Sequence, residues 1–514
     1  MLMRIPMNNH TTNPRAGERG MALIVSMMLM AVLSLIGASL MFLAQTETAS
    51  SISYRTMSQA RYGAESGAHK AANYLLNTYA KPGTAGGGNV ADFDMTKSPV
   101  KYNNVPVVLS STVAASNYPV DAIKTAFSNA TQGTLPAAGV TVGYTASARL
   151  MSMLPIKTYT GTQTVVQTWE ITADGTIGGV HTATVQVVST LEQQIVPAIS
   201  NAAFATGGGC GALAFGGNEV IDSYDSRNPL GADGHPVRSQ SGGNVGTNGN
   251  MTLTGQATIN GTLSTPRTGV GGCANGNVTA LTQSGQAAVT GGLVQLPQTV
   301  VLETPPPPNP LPPTTSISFT KNTGCAGLVA ASCTATVVSG KDVATLTGGT
   351  TAATALSLGN VGVSTQGTLH LKGGATAGDT AYYNFNSLDV GSQSEIVIDG
   401  PGRVVVNIAG VGETKPIDFS GGSTTNATMN PSMFQLVYGG TGTIWLGGGA
   451  DTAMVVYAPN ASAEFPSSNS NFYGSIIAAA VSANGAQIHY DRNLANDFFT
   501  SGNFMMTSFT WKKY

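Results

Sequence analysis

One stretch constrains this chain more than any other. From Met21 to Thr46 no side chain is charged, and residues 21–44 are Met, Leu, Ile, Val, Ala and Phe but for Gly37 and three serines. A helix rising about 1.5 Å per residue needs about 20 such residues to cross a hydrocarbon core of roughly 30 Å. Arg15 and Arg19 precede the run, with Arg4 further upstream. Positive charge on that side favours a cytoplasmic N-terminus and export of everything after the span. A general secretory signal would have a shorter apolar core ending in an A-x-A-like site, and this run has neither feature.

The basic leader ends in Gly20, directly before the apolar run, and Ser58–Leu76 then places Ala60, Ala64, Glu65, Gly67, Ala68, Ala71 and Ala72 along one helix. This arrangement resembles the class III signal of type IV pilins and pseudopilins. It is similar in particular to the A-x-x-A-A-E-A-G-x-x-x-A stretch of PilX-type minor pilins and K-type minor pseudopilins. The resemblance implies that a prepilin peptidase removes residues 1–20 after Gly20 and methylates the new N-terminus at Met21. It also implies major and minor pilins as partners, a single-pass stage in the bacterial inner membrane, and then the periplasm and the cell surface within a pilus. Two positions depart from the family: Met21 stands where Phe is usual, and Val25 where Glu is usual. A carboxylate inside a bilayer costs a few kcal/mol and persists only with a partner; in the family that partner is the N-terminal amine of the subunit above. Val25 offers a subunit above it nothing, while the Met21 amine can still receive the Glu of the subunit below. By resemblance to the K-type pseudopilin, this implies a place at or near the filament tip, with a tip adhesin or a surface glycan as a further partner.

Only 9% of the 514 residues are charged and the net charge is −2, so no basic field exists to hold nucleic acid. With 42% apolar residues the chain is not disordered. The four cysteines, Cys210, Cys273, Cys325 and Cys333, contain no C-x-x-C pair, which excludes the usual zinc and thioredoxin-like spacings. After export they read as two disulfides. Cys325 and Cys333 close a small loop and Cys210 pairs with Cys273 by elimination, with three connectivities possible in all.

Beyond the span, residues 45–77 continue as a helix whose small residues allow neighbouring helices to approach closely. Lys81-Pro82-Gly83 stops it, and 83–88 is a connector. Residues 81–198 are expected to form a pilin-like αβ domain, with strands over 140–153, 164–177 and 181–190 and with Asp174-Gly175 and Gly178-Gly179 as turns. From Asn201 a repeat appears. Gly243, Gly249, Gly255 and Gly261 are six apart, as are Val245, Met251, Ala257 and Leu263, and 254–263 recurs at 284–293. An inward apolar residue and a corner Gly every six residues mark a β-solenoid. Further on, Val437, Val456 and Ile476 suggest a longer coil of 19 to 20 residues. The expected fold class is therefore an α+β pilin-like module with a long N-terminal helix (21–80) and an antiparallel meander. A parallel β-helix follows over 199–500, with 501–514 as a tail. A Pro-rich and Cys-bearing stretch at about 295–340 reads as an insertion decorating the solenoid.

No catalytic or nucleotide-binding motif occurs, and neither an enzyme nor a cofactor is expected. Asp222, Asp225 and Asp233, with His235, are the weak candidates for a metal site; His489 reads as structural. The alternative is a pilus-displayed, carbohydrate-active β-helix enzyme, which needs carboxylates paired on an open face. Asp389, Glu395 and Asp399 form the other acidic concentration. The late aromatics, Trp445 among them, suit a binding face or a core stack equally.

Overall fold

The computed structural model describes residues 18–137, 140–159, 163–179, 182–447, 451–467 and 470–513. Most of the expected leader, residues 1–17, lies outside these residues, as does His181. The chain forms two compact units: Met1–Ile156 with Gln163–Gln194 and Ser501–Tyr514, and Lys157–Thr162 with Ile195–Thr500.

In the first unit, one helix (α1, Glu18–Asn77) carries the apolar run. Its upper half is exposed throughout. Its lower half buries Ala60, Ala64, Ala68, Ala71 and Leu75. These small residues seat α1 on its own sheet, where Ala64, Ala68 and Ala71 share a core with Trp169, Ile171, Ala173, Val187 and Leu191, and with Ile123 and Phe127 of the short helix Asp121–Ala130. Gly175 is not a turn residue. The strand Gln163–Ile177 runs through it, and a Cβ there would overlap the Ala60 carbonyl. The glycine is needed for close helix–sheet approach.

The sheet of this unit has six strands, with Val108–Ser110, Val140–Lys157, Gln163–Ile177, Ala183–Pro197 and Phe499–Lys513 in that order and Gln132–Ala137 beside Val140–Lys157. Residues 501–513 are therefore not a tail, and 499–513 form an edge strand of this sheet. Gln193 Nε2 donates to the Gly502 carbonyl at 2.7 Å and Ser508 Oγ lies 2.9 Å from Thr190 Oγ1, so the strand runs antiparallel to Ala183–Pro197. Phe504 is buried in the core beneath it.

The second unit is a parallel β-solenoid whose chain does not climb it from one end to the other. The segments Ala203–Ala205, Val245–Thr247, Leu263–Thr265 and Leu293–Gln295 stack in parallel. Ala203 also pairs with Ile476 of Asn471–Asn484, which continues through Thr452–Phe465 and Phe434–Tyr438 to Arg403–Ile408. One coil is thus made from both ends of the insert: Gln487–Asp491 beside Ala203–Ala205 and Leu213–Gly216. From it, the earlier residues stack outward one way and the later residues the other way.

Val245, Met251, Ala257 and Leu263 are all fully buried. Val245 pairs with Leu263, so a coil is three hexads. Met251 pairs with Leu281, so the 30-residue offset is a coil of the same kind enlarged by an excursion carrying Cys273. In the later part the period is 20: Leu436 pairs with Val456 and Val456 with Ile476. The inward residue is Leu436, with Val437 beside Tyr457, because a one-residue step in a strand reverses the face.

Residues 300–313 lie on the surface of the solenoid, most of them exposed. They run as a strap along the solenoid. Asn248 binds both the N–H and the carbonyl of Val300 at 2.8 Å, Tyr457 Oη donates to the Glu303 carbonyl at 2.7 Å, and Asn384 Nδ2 to the Pro310 carbonyl at 3.0 Å. Pro305, Pro308 and Pro312 are buried. Proline, which lacks an N–H, suits the part of the strap that offers the Pro310 carbonyl to Asn384.

Candidate functional site

The apolar half of α1 is the feature that reaches out of the fold. Val25 is 57% exposed, and Met28, Leu29, Val32 and Leu33 beside it are exposed as well. Two of the hydroxyls in the span bond within the helix. Ser26 Oγ donates to the Leu23 carbonyl at 2.9 Å, and Ser39 Oγ to the Ile36 carbonyl at 2.8 Å. With the backbone and these two hydroxyls satisfied inside the helix, the segment can lie in hydrocarbon. Gly20 is the last residue before it, within the first turn of α1. The helix from residue 21 onward is long and apolar enough to cross a membrane.

The three acids proposed to hold a metal do not converge. Asp222 accepts from His489 Nδ1 at 2.5 Å, both side chains being buried. The His489 ring packs on Tyr473 with centroids 4.7 Å apart. Asp225 is held by Arg227 through two hydrogen bonds of 2.9 and 2.6 Å; these contacts hold its carboxyl down at about 2. Asp233 accepts the His235 N–H at 3.1 Å inside its own turn. Among the described residues no group of three or more His, Cys, Asp or Glu is placed to hold a metal ion.

The other acidic concentration is dispersed too. His370 Nδ1 lies 2.6 Å from Asp399, and Glu395 binds Thr425. Asp389 pairs in register with Asp418, a neighbour the sequence pattern does not reveal because they sit 29 positions apart on adjacent coils. Partial burial, and then the Asp418 charge, raise the Asp389 carboxyl. Of the late aromatics, Tyr383, Phe385, Phe465 and Phe472 belong to the core, whereas Trp445 is half-buried with the Lys415 ammonium over its ring and its Nε1 donating to Glu464 at 3.1 Å.

The cysteines form two disulfides, Cys210–Cys273 and Cys325–Cys333. The first ties the excursion before Leu281–Gln283 to the turn before Leu213–Gly216.

The PilX N-terminal family model matches residues 19–68, which cover the apolar run and the Ala-rich turns seated on the sheet. A domain of unknown function, DUF7305, matches residues 365–497, the later coils of the solenoid. No curated protein matches the sequence. Among solved structures, the competence-associated pilin ComZ from Thermus thermophilus is 15% identical. The match covers 89% of this chain and 98% of that one, with a TM-score of 0.27. A superposition that loose adds nothing to the strand pairing described above. Residues 19–68 are thus similar to the PilX N-terminal segment, and a parallel β-solenoid is inserted between two strands of the sheet on which the lower half of that helix packs.

Proposed function

We propose that the chain is cut after Gly20 by a prepilin peptidase, methylated at Met21 and assembled with other pilins at or near the tip of a filament. There it displays its solenoid to a surface glycan or a partner protein. The observation that carries this reading is an α1 whose residues 21–44 lie wholly exposed while its lower half is packed on the pilin-like sheet. Such a helix leaves the membrane for a filament without unfolding anything else. Val25 supports the tip: it brings no carboxylate for an amine above, whereas a mature Met21 amine would still accept one from below. In this reading the solenoid carries the contact with surface or partner, and its acids serve the fold: Asp222 is buried against His489 and Asp225 is held by Arg227.

Intact-mass measurement of the protein from cells with and without prepilin peptidase tests the maturation step. The expected product begins at N-methylated Met21, and Gly20→Leu blocks it. Full-length protein in surface fractions contradicts the reading. Val25→Glu leaves filament incorporation unimproved, and labelling along the whole shaft argues against the tip. Release of shortened oligosaccharide by the protein would replace binding by catalysis.

A further inference from the structure

The two ends of the solenoid are built differently. At one end the parallel ladder is closed by an antiparallel hairpin, Cys333–Val338 with Lys341–Thr347. The Cys325–Cys333 disulfide ties the loop before it, and Cys325 and Leu328 pack against the core. Lys321, Lys341 and Asp342 add charge there. Such features keep a strand edge from pairing with another chain.

The other end has no such hairpin and no such charges; the Cys210–Cys273 disulfide holds an excursion against Leu281 there, and the remaining strands of the coil are bare. Among the described residues, Ala288–Val289 and Leu293–Gln295 pair only with the coil beneath, through Thr258–Ile259 and Leu263–Thr265, and Val270 bridges to Leu281. Leu293 ends the inward column in which Ala203, Val245 and Leu263 are fully buried, yet it is 42% exposed. Between Arg267 and Glu303 no residue is charged.

We infer that this uncapped end pairs edge to edge with the same end of a second copy of the chain. Symmetry and charge select that occupant. Head-to-tail stacking would extend into an open fibre, and the hairpin and its charges close the far end to it. Two like ends meet about a two-fold axis, which lays their strands antiparallel and yields a closed dimer. Both ends are uncharged, so neither repels its mate, and each covers the other's Leu293. One coil end offers less than the roughly 800 Å² per partner of a stable interface, so the pairing depends on the high local concentration of a shared membrane. This proposal concerns the solenoid alone, and its outcome is independent of cleavage at Gly20.

The test uses full-length protein in its own membranes. With the four native cysteines paired, Val294→Cys places a free thiol at the uncapped end and Val329→Cys one at the capped end; both positions are exposed. After mild oxidation, Val294→Cys is expected to give a disulfide-linked homodimer in several-fold excess over Val329→Cys, with equal maleimide labelling of the two. Adding Leu293→Lys, or the milder Gln286→Lys in the exposed turn, removes that excess. Equal dimer yields, labelling without a dimer, or a Val294→Cys adduct with a different protein would each overturn the self-pairing.

Discussion

Burial of Glu219 sets a pH dependence on the solenoid. Glu219 lies one step before Val220, which pairs with Gln487 on one side and Thr258 on the other. It is fully buried, and neither carboxyl oxygen has a hydrogen-bond partner of good geometry. Burial pushes its carboxyl well above the ordinary value, and the nearby Gly216 N–H offsets this only in part. With the folded pKa raised, the stability linked to this group is complete below the unfolded value near 4.5 and is lost as pH rises toward the folded value. Every tenfold difference in proton affinity between the folded and unfolded chain is worth about 1.4 kcal/mol. Glu219→Gln is therefore expected to raise the melting temperature at pH 7 by a few degrees and to leave it unchanged near pH 4. Thermal scans of both proteins from pH 4 to 8 check this, and a Glu219→Gln chain less stable than the parent at pH 7 contradicts it. Nothing in the sequence marks Glu219. It follows Gly216-Gly217-Asn218 and reads as a turn residue, and only the ladder places its side chain inside. The pairing of His489 with Asp222 is hidden in the same way, since 267 residues separate them.

At the scale of the element, patterns of local origin are legible and those set by long-range pairing are not. The apolar run of α1 and the hexads 243–263 carry their period in consecutive residues. The later coils show a period too, but without the ladder it points to an inward column one residue off, at Val437. The difference is measurable. Leu436→Asp buries a charge among Val406, Val456 and their neighbours and is expected to destabilise by several kcal/mol. Val437→Asp, on the opposite face, costs about 1 kcal/mol or less. Urea unfolding of both variants settles the register, and equal losses would refute it. The strap differs from its sequence reading because proline-rich composition shows an extended chain but not what it lies against. Asn248→Ala removes both bonds to Val300 and is expected to cost about 1–3 kcal/mol and to speed proteolysis within 301–313. Unchanged cleavage there would mean that the strap is held elsewhere.

For the whole molecule, the sequence reads as a helix-bearing αβ part followed by a solenoid, and the structure shows one inserted in the other. The signal that would disclose this is slight: residues 499–513 alternate weakly, and their partner strand lies about 300 positions earlier. The insert begins and ends together, because the Ala198 N–H donates to the Phe498 carbonyl at 2.8 Å and Tyr490 Oη donates to the Ile199 carbonyl at 3.0 Å. The pilin-like sheet thus gains its last strand only after the solenoid has been synthesised. A chain stopped after Ala198 lacks that strand and Phe504 with it. A chain in which residues 199–497 are replaced by an Asn-Gly turn keeps both, since the two strands already run antiparallel and that turn suits a hairpin.

Limited proteolysis of these two chains in membranes, beside the parent, tests the insertion most directly. The excised chain is expected to keep a pilin-like unit as resistant as the parent's, still anchored by α1, while the stopped chain is degraded down to the membrane-embedded helix. Equal resistance of the stopped chain, or degradation of the excised one at the same rate, would contradict an insertion into the pilin-like sheet.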